Sequence, residues 1–272
     1  MKYTEEQLSK IHEYEIEILE EIIRICEKHG IQYFSAGGTT LGAVRHNNII
    51  PWDDDIDIGM LRPDYERFIR IAPKELKNGM FLQHYSTEPL TPTYYAKVRK
   101  DGTVFAEEHM KELPIHKGVF VDVFPYDKVP ENDKERKKLA RQISALNQLF
   151  VAKVLWKASN FHGEDKKALL TGVRSMLHVA CLPLSRDYLF NKLDRLVRKY
   201  NDTSSSLVTY RAYDFAIARI DDYLPARKCK FGRIEIDIPV HAEKILRRQY
   251  GRYMELPPEE KRTGHAPFEL QL

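Results

Sequence analysis

The sequence predicts an α/β protein (α+β in detail) with one small mixed sheet, flanking helices and a helical insertion. Short stretches around residues 55–60 and 118–126 alternate polar with apolar residues, or run apolar, over the length of a strand. Longer segments repeat apolar residues every three or four positions, as amphipathic helices do. The 272 residues are 43% hydrophobic and 31% charged, which is typical of a soluble protein long enough to bury a core.

The first quarter of the chain predicts a helix followed by a strand–helix–strand unit. Thr4 and Gln7 have the spacing of a capping box, and Gly30 can end the long helix that follows. We assign this helix to packing and to no chemistry. The elements predicted after it are a strand at 31–36, a helix at 39–46, a strand at 55–60 and a helix from Pro63 to about residue 71.

The next elements are strands at 81–84 and 93–100, and then a strongly apolar strand at 118–126. Asp101-Gly102 after the second of these predicts a hairpin. The third strand carries one acid, Asp122, and its composition predicts a central, buried position. A buried carboxylate is costly unless it is paired or bound to a metal, so Asp122 is a candidate site residue.

The middle of the chain predicts basic helices. Residues 131–200 contain 15 Lys/Arg and 7 Asp/Glu, whereas the rest contains 28 and 33. The C-terminal part predicts one strand at 231–239, a helix at 241–250 ended by Gly251, and an irregular tail. We divide the chain into a catalytic core at 1–130, a basic helical insertion at 131–206, and a hairpin, helix and tail at 207–272 that complete the core.

Composition excludes several classes. No apolar run reaches the length of a membrane span, and the N-terminus lacks the apolar core of a signal peptide, so a cytoplasmic protein is expected. The three cysteines lie far apart and predict reduced thiols. A net charge of +3 argues against a dedicated nucleic-acid binder.

The most informative segment holds four aspartates in five positions: Asp53, Asp54, Asp55 and Asp57. On a strand, Asp55 and Asp57 point to one side, Asp53 can join them, and Asp54 points away. Adjacent like charges repel, and Mg²⁺ or Mn²⁺ would remove that cost. The alternative is a solvated strand face without a metal.

A phosphate-binding element precedes the aspartates. Gly37 and Gly38 let backbone approach a ligand closely at the start of a helix, and such a helix start offers N–H groups to an anion. Thr39 adds a hydroxyl group and Arg45 a positive charge. Further along, Lys97 and Arg99 lie two apart on one strand and could stabilise donor phosphates, although a solvated edge strand explains them equally well.

This stretch resembles the signature of the LicD family, which belongs to the nucleotidyltransferase-fold superfamily and has fukutin-related protein as a distant member: residues 37–59 read GGTTLGAVRHNNIIPWDDDIDIG. Further LicD-like segments are AKVR followed by Thr103, the V-D-x-F-P pattern around Asp122, and a C-terminal ending that contains His265. The resemblance implies a nucleotidyltransferase-like fold. It also implies Asp55, Asp57 and Asp122 as catalytic and metal-binding residues, with His265 near the site or simply exposed.

The activity implied by the resemblance is metal-dependent transfer of phosphocholine from CDP-choline to a hydroxyl of a bacterial surface glycan, such as a teichoic acid, lipopolysaccharide or capsule precursor. Choline favours an aromatic cage. Candidates for it are Tyr94, Tyr95, Tyr126 and Trp52, although Trp52 fits ordinary packing as well. The alternatives are transfer of another phospho-alcohol (ribitol or glycerol phosphate) or of a nucleotide, and a non-catalytic cation-binding module.

The expected partners are a CDP-alcohol donor and a glycan acceptor, and no nucleic acid. LicD-type acceptors are expected to be lipid-linked at the inner face of the cell membrane. The basic segment therefore predicts peripheral contact with an anionic membrane. The alternatives for that segment are packing on the core and dimer formation.

Overall fold

The computed structural model describes residues 4–107, 110–155, 164–210, 217–264 and 267–272. It confirms the predicted α/β class, because strands of one main sheet alternate with helices that pack around it.

Five helices and strands precede residue 76, and the remaining strands and helices follow in mixed order. The bounds are α1 Glu5–His29, β1 Phe34–Ser35, α2 Gly37–His46, β2 Ile56–Leu61, α3 Arg62–Glu75, β3 Met80–Gln83, β4 Ala96–Lys100, β5 Val104–Ala106, β6 Phe120–Lys128, α4 Asp133–Ala152, α5 Glu164–Cys181, α6 Arg186–Val197, β7 Leu207–Thr209, β8 Ala218–Arg219, α7 Ile220–Tyr223, β9 Arg227–Phe231, β10 Ile234–Ile238, α8 Ala242–Tyr250 and β11 Glu269–Gln271.

The main sheet has the strand order β1–β2–β6–β4–β3, with β7 pairing to the end of β6 and β8 to β7. Strands β2 and β6 are parallel, and the other neighbours in the sheet are antiparallel. Strand β6 therefore lies between β2 and β4, as its apolar composition predicts. Two separate ladders, β9–β10 and β5–β11, complete the strand pairing of the described residues.

Helix α1 packs its apolar face on one side of this sheet. Thr4 and Gln7 form the predicted capping box, with reciprocal bonds of 3.1 and 3.0 Å, and Gly30 ends the helix with φ of 59°. The main core contains Ile11, Ile18, Ile22, Ile56, Ile58, Val121 and Val123, all fully buried. Each such side chain contributes about 1.5–3 kcal/mol. Because side chains alternate along strands, the opposite face of β2 and β6 carries Asp57 and Asp122.

Helices α4, α5 and α6 pack on one another around Phe150 and Leu189. Two tyrosines join this helical segment to the loops beside the sheet: the Tyr94 hydroxyl donates to Asp194 and the Tyr85 hydroxyl donates to Asp187, each at 2.7 Å. Within the described residues, no helix is long and apolar enough to cross a membrane.

Three local predictions differ from the structure. The hairpin at Asp101-Gly102 is wrong, because β4 pairs with β3 and β6 while β5 pairs with the distant β11. The single strand predicted at 231–239 is instead the end of β9 and all of β10, which turn at Gly232. The first strand is limited to Phe34–Ser35, since only these residues pair with β2.

Candidate active site

Three polar side chains form a row across the central strands of the sheet. In the parallel pairing of β2 with β6, Asp57 is the register partner of Asp122; in the antiparallel pairing of β4 with β6, Lys97 is the register partner of the same aspartate. Register partners present their side chains on the same face. The structure thus brings together Asp57, Asp122 and Lys97. Along the chain, Asp57 is 65 residues from Asp122 and 40 residues from Lys97.

Asp122 and Lys97 form a buried ion pair. The Lys97 Nζ atom lies 2.5 Å from Asp122 Oδ1, and the two residues are 3% and 5% exposed. Burial lowers the pKa of Lys97, and the neighbouring Asp122 opposes that shift. The Phe120 ring lies 3.5 Å from Nζ and covers the amine. Lys97 therefore neutralises Asp122 and leaves that carboxylate one oxygen, Oδ2, for another partner.

The start of helix α2 lies against the aspartates of the signature segment. A Cβ atom placed on Gly37 would lie 3.5 Å from Asp57 Oδ2, and one on Gly38 would lie 2.9 Å from Asp53 Oδ2. Gly37 also adopts a positive φ of 51°, which disfavours a side chain. Both glycines therefore place bare backbone beside carboxylates.

Thr39 ties this helix to strand β2. Its hydroxyl accepts a hydrogen bond from the Asp57 backbone N–H at 2.7 Å, and the Ala36 N–H donates to the Asp57 carbonyl at 3.0 Å. Because the hydroxyl accepts this bond, its own proton remains for another acceptor, such as a phosphate oxygen. The role of Gly37, Gly38 and Thr39 in binding a donor stays a prediction.

The aspartates before β2 form a second acidic group. One carboxylate oxygen from each of Asp53, Asp54 and Asp55 lies within 4.8 Å of the others. The prediction that Asp54 points away is wrong, because the strand begins at Ile56 and its alternation does not extend to residues 53–55. Asp54 is 1% exposed and packs against Gly264.

Two polar residues of helix α1, Glu15 and His12, lie near this acidic group. The Glu15 carboxylate is fully buried; burial, followed by the charges of Asp55, Asp54, Asp53 and Asp57, raises its pKa well above the ordinary value. A ring nitrogen of His12, Nε2, lies 2.7 Å from the Asp53 carbonyl oxygen.

The basic residues predicted to bind phosphate differ in their surroundings. Arg99 is buried and donates to Gln83 Oε1 and to the Gly118 carbonyl, each at 2.6 Å, and burial lowers its pKa to about 10. Arg45 donates to the Tyr253 carbonyl at 2.8 Å and lies 6.0 Å from the ring of Trp52. Both guanidinium groups thus donate hydrogen bonds to backbone carbonyls of this chain. The geometry therefore gives no support to their predicted role in binding phosphate.

The aromatic side chains predicted as candidates for a choline site lie in three places. Trp52 is half-buried beside His46 and Arg45, whereas Tyr126 is buried in a cluster with Phe34 and Tyr223. Tyr94 and Tyr95 line a cavity of about 390 Å³ between the sheet and α4, together with Asp127, Asn147 and Tyr210. His265 lies outside the described residues.

Tyr95 lines the cavity and also lies near the polar row. Its ring lies 5.4 Å from Lys97 Nζ and 4.5 Å from the Phe124 ring, which in turn lies 4.6 Å from Tyr210. Another aromatic residue that the sequence did not indicate, Tyr250, lies beside the start of α2. Its hydroxyl would lie 3.7 Å from a Cβ on Gly37.

These carboxylates fit a hard divalent cation. Mg²⁺ and Mn²⁺ prefer oxygen ligands, with Mg²⁺–oxygen distances of about 2.0–2.1 Å, and Ca²⁺ ligands lie at about 2.3–2.6 Å. Two oxygens on one such ion are at most about 5 Å apart, and the oxygens of Asp53, Asp54 and Asp55 satisfy that limit. The bare backbone at Gly38 keeps the space beside Asp53 open.

A mixed sheet with acidic residues beside the glycine-rich start of a helix is the arrangement that the resemblance of the signature segment predicts. Residues 30–145 match the family model described as LicD/FKTN/FKRP, nucleotidyltransferase domain. The match to this LicD-family domain includes the whole signature segment at residues 37–59.

Two relatives show how far the similarity extends. The chain is 26% identical over 271 residues to the lipopolysaccharide cholinephosphotransferase LicD of Haemophilus influenzae, and the match covers 92% of each chain. It is 44% identical over 43 residues to the ribitol 5-phosphate transferase FKRP of Homo sapiens, which is 16% of this chain and 9% of that protein. The first similarity spans nearly the whole chain, and the second is local.

Proposed function

We propose that this protein transfers phosphocholine, or a closely related phospho-alcohol, from a CDP-linked donor to a hydroxyl group of a bacterial surface glycan. The observation that carries the proposal is the row of Asp57, Asp122 and Lys97 beside the glycine-rich start of α2. The names of the two relatives support it, since one is a cholinephosphotransferase and the other a ribitol 5-phosphate transferase. Both names describe transfer of a phosphorylated alcohol.

In the proposed reaction, the acceptor hydroxyl oxygen forms a bond to the phosphorus that carries choline. The bond from that phosphorus to the bridging oxygen breaks, and CMP leaves with the electron pair. Gly37, Gly38 and the Thr39 hydroxyl position the diphosphate at the start of α2. The acceptor proton passes to a carboxylate or to water, and Asp122 Oδ2 is the candidate base because Oδ1 is held by Lys97.

Asp55 and Asp57 would hold a divalent cation, Mg²⁺ or Mn²⁺, and Asp122 Oδ2 is alternatively a further ligand. When bound, such a cation neutralises charge on the diphosphate and on the departing CMP. Lys97 neutralises Asp122, which lies next to Asp57 in the row, and so limits the repulsion between the two carboxylates.

The cavity beside Tyr95 is the proposed site for the alcohol group of the donor. The faces of Tyr95 and Tyr210 favour a quaternary ammonium such as choline. The side chains of Ser144, Asn147 and Gln148 from α4 also line the cavity and would suit a polyol such as ribitol or glycerol. The lining of the cavity therefore suits both a choline donor and a polyol donor.

A panel of CDP-choline, CDP-ribitol and CDP-glycerol tests the proposal, with released CMP as the readout and lipopolysaccharide or teichoic acid as the acceptor. The proposal predicts that CDP-choline gives the highest kcat/KM. It also predicts that Tyr95→Leu raises the KM for CDP-choline more than the KM for CDP-glycerol, since only choline uses the aromatic face. A higher kcat/KM for a polyol donor would replace phosphocholine with that alcohol, and no CMP from any donor would support a non-catalytic module.

For a lipid-linked acceptor we propose that α5 rests on an anionic membrane surface. Val173, Met176 and Val179 in α5 and Leu182 just after its end lie at three-residue intervals and are 45–74% exposed. The surrounding segment, residues 131–200, carries the excess of Lys/Arg described above. Exposed apolar residues within a basic segment match the chemistry of an anionic lipid surface.

A further inference from the structure

Tyr250, the last residue of α8, places its hydroxyl group beside the start of α2. A Cβ atom built on Gly37 would lie 3.7 Å from the Tyr250 hydroxyl oxygen and 3.5 Å from Asp57 Oδ2. The hydroxyl and the carboxylate therefore flank the same point beside the bare backbone of Gly37. Tyr250 is 45% exposed, so part of its side chain borders solvent while the hydroxyl oxygen lies at the proposed site of the donor diphosphate.

Helix α8 holds Tyr250 in this position. Ile245 and Leu246 of α8 are buried, and Leu246 lies in one apolar cluster with Leu41 of α2. The helix ends directly after Tyr250, at Gly251. The hydroxyl is therefore carried by a helix packed on α2 and not by the irregular tail, and packed elements hold site residues more precisely than loops do.

The three cations that the sequence predicted for phosphate binding are engaged within this chain. Arg45 and Arg99 donate to backbone carbonyls, and Lys97 is bonded to Asp122. The groups that the structure places at the start of α2 are instead neutral hydrogen-bond donors. These are the N–H groups at the start of the helix and the hydroxyl of Thr39.

A neutral donor suits the space next to Asp57. An ammonium or guanidinium group there would form a strong ion pair with the carboxylate and would repel a divalent cation. A phenol has an ordinary pKa of about 10 and is uncharged at neutral pH. The Tyr250 hydroxyl can therefore donate to an anionic oxygen without competing with a cation for Asp57.

We infer that Tyr250 binds the nucleotide donor, with its hydroxyl donating a hydrogen bond to a diphosphate oxygen at the start of α2. This role, which rests on the proposed function, adds a residue of the C-terminal segment to the donor site. The diphosphate then receives hydrogen bonds from two helices, from the N–H groups and Thr39 of α2 and from Tyr250 of α8. Packing of α8 on α2 thereby completes the site.

The test compares wild type with Tyr250→Phe, which removes only the hydroxyl group. We expect the Kd for pyrophosphate with Mg²⁺, measured by isothermal titration calorimetry, to rise at least about tenfold, as loss of a hydrogen bond to a charged group does. The KM for CDP-choline should rise with kcat nearly unchanged, because the bond is made in the ground state as well as in the transition state. The melting temperature should stay that of wild type.

The matched control is Tyr188→Phe in α6. Tyr188 is 44% exposed, and its hydroxyl accepts a hydrogen bond from Lys192 at 3.2 Å, away from the start of α2. This variant should bind pyrophosphate as wild type does. An unchanged pyrophosphate Kd in folded Tyr250→Phe overturns the inference, and so does a wild type that binds no pyrophosphate.

The two readouts separate this inference from the proposed function. Turnover of CDP-choline with the same KM in wild type and Tyr250→Phe overturns the role of Tyr250 and leaves the transfer reaction intact. Weaker pyrophosphate binding by Tyr250→Phe, with no CMP released from any donor by wild type, does the reverse. If Tyr250→Phe does not fold, a crystal structure of wild type with CDP and Mg²⁺ decides. A phosphate oxygen within hydrogen-bond distance of the Tyr250 hydroxyl supports the inference, and a hydroxyl bonded only to Asp57 or to water overturns it.

Discussion

Asp57 and Asp122 face each other at the same register position of two neighbouring parallel strands, β2 and β6. Lys97 continues the row on β4 and is bonded to Asp122 at 2.5 Å. The two carboxylates therefore differ in their surroundings. Asp57 on β2 is half-buried and lies beside the start of α2, whereas Asp122 is buried and has a neutralising partner in Lys97. This difference fits the roles proposed above, in which Asp57 is a metal ligand and Asp122, held by Lys97 through Oδ1, acts through Oδ2.

The buried pair should be essential for stability. We expect Lys97→Met to lower the free energy of unfolding by about 3–5 kcal/mol, because it leaves the Asp122 carboxylate buried without a partner. The double change Lys97→Met with Asp122→Leu should recover much of that loss, since both polar groups are removed together. Urea denaturation measures both effects.

The control for this pair is Lys10→Met, which removes the surface ion pair with Glu13. It should leave the unfolding midpoint unchanged, because exposed pairs are screened by water. If Lys97→Met is as stable as wild type, the ion pair seen between β4 and β6 does not describe the protein in solution.

Replacing Gly38 should affect metal binding by the acidic group more than the stability of the fold. A Cβ at this position would lie 2.9 Å from Asp53 Oδ2, so Gly38→Ala must displace that carboxylate. We expect Mn²⁺ affinity to fall severalfold while the melting temperature changes little. The matched control is Gly172→Ala in α5, where no described atom outside the helix's own neighbouring backbone lies within 4 Å of the added Cβ. That change should raise stability by about 0.5–1 kcal/mol and leave Mn²⁺ binding unaltered; equal metal affinity in the two variants would argue against a role for Asp53.

His84 should make stability depend on pH in the acid range. Burial, reinforced by the charge of Arg62, lowers its pKa from 6.5 to about 4. Below pH 6.5 the unfolded chain takes up a proton that the folded chain does not, so stability is full above pH 6.5 and is lost as pH falls toward 4. The loss amounts to about 3 kcal/mol, at 1.36 kcal/mol per pH unit.

The variant His84→Phe removes this titration and keeps an aromatic ring next to Tyr65 and Phe190. Its free energy of unfolding, measured by urea denaturation at several pH values, should fall less steeply between pH 6.5 and 4 than that of wild type. Parallel curves for the two proteins would show that His84 is accessible to protons in the folded state.

The exposed residues of α5 should bind the protein to anionic liposomes at low salt. Met176→Glu with Val179→Glu should abolish sedimentation with vesicles that contain phosphatidylglycerol, because it adds negative charge to the apolar surface. Raising the salt concentration should weaken wild-type binding, since each basic residue contributes about 1 kcal/mol through a screened attraction. Leu256→Glu, at a residue 52% exposed in the C-terminal tail, should bind as wild type. No wild-type binding at low salt would favour packing or dimer formation for this segment.

The sheet face that carries the site was predictable from local pattern. Alternation around Asp57 and the apolar run around Asp122 are local properties, and they placed both acids on strands of one sheet. That β2 and β6 are neighbours in register is a long-range pairing, which no local pattern encodes. The hairpin predicted at Asp101-Gly102 is wrong for the same reason, because β5 pairs with β11 near the C-terminal end of the sequence.

Other residues were misjudged because the partner of a side chain depends on the fold. The spacing of Lys97 and Arg99 predicted a shared strand face, but it could not show that Asp122 and Gln83 would engage them. Glu15 was assigned to a packing helix, although the sequence held a signal: an acid at a core-facing position between Ile11 and Ile18. The pattern marks Glu15 as a buried acid, whereas its position near the four aspartates depends on the fold.

Metal-dependent release of CMP from CDP-choline tests the central claim most directly. With purified protein, a glycan acceptor and Mg²⁺, we expect CMP in amounts equal to the phosphocholine found on the acceptor. Chelation by EDTA should stop the reaction, and Asp57→Asn should lower kcat by at least about 100-fold while it folds normally. CMP release that persists in EDTA, or near-normal turnover by folded Asp57→Asn, would contradict the account.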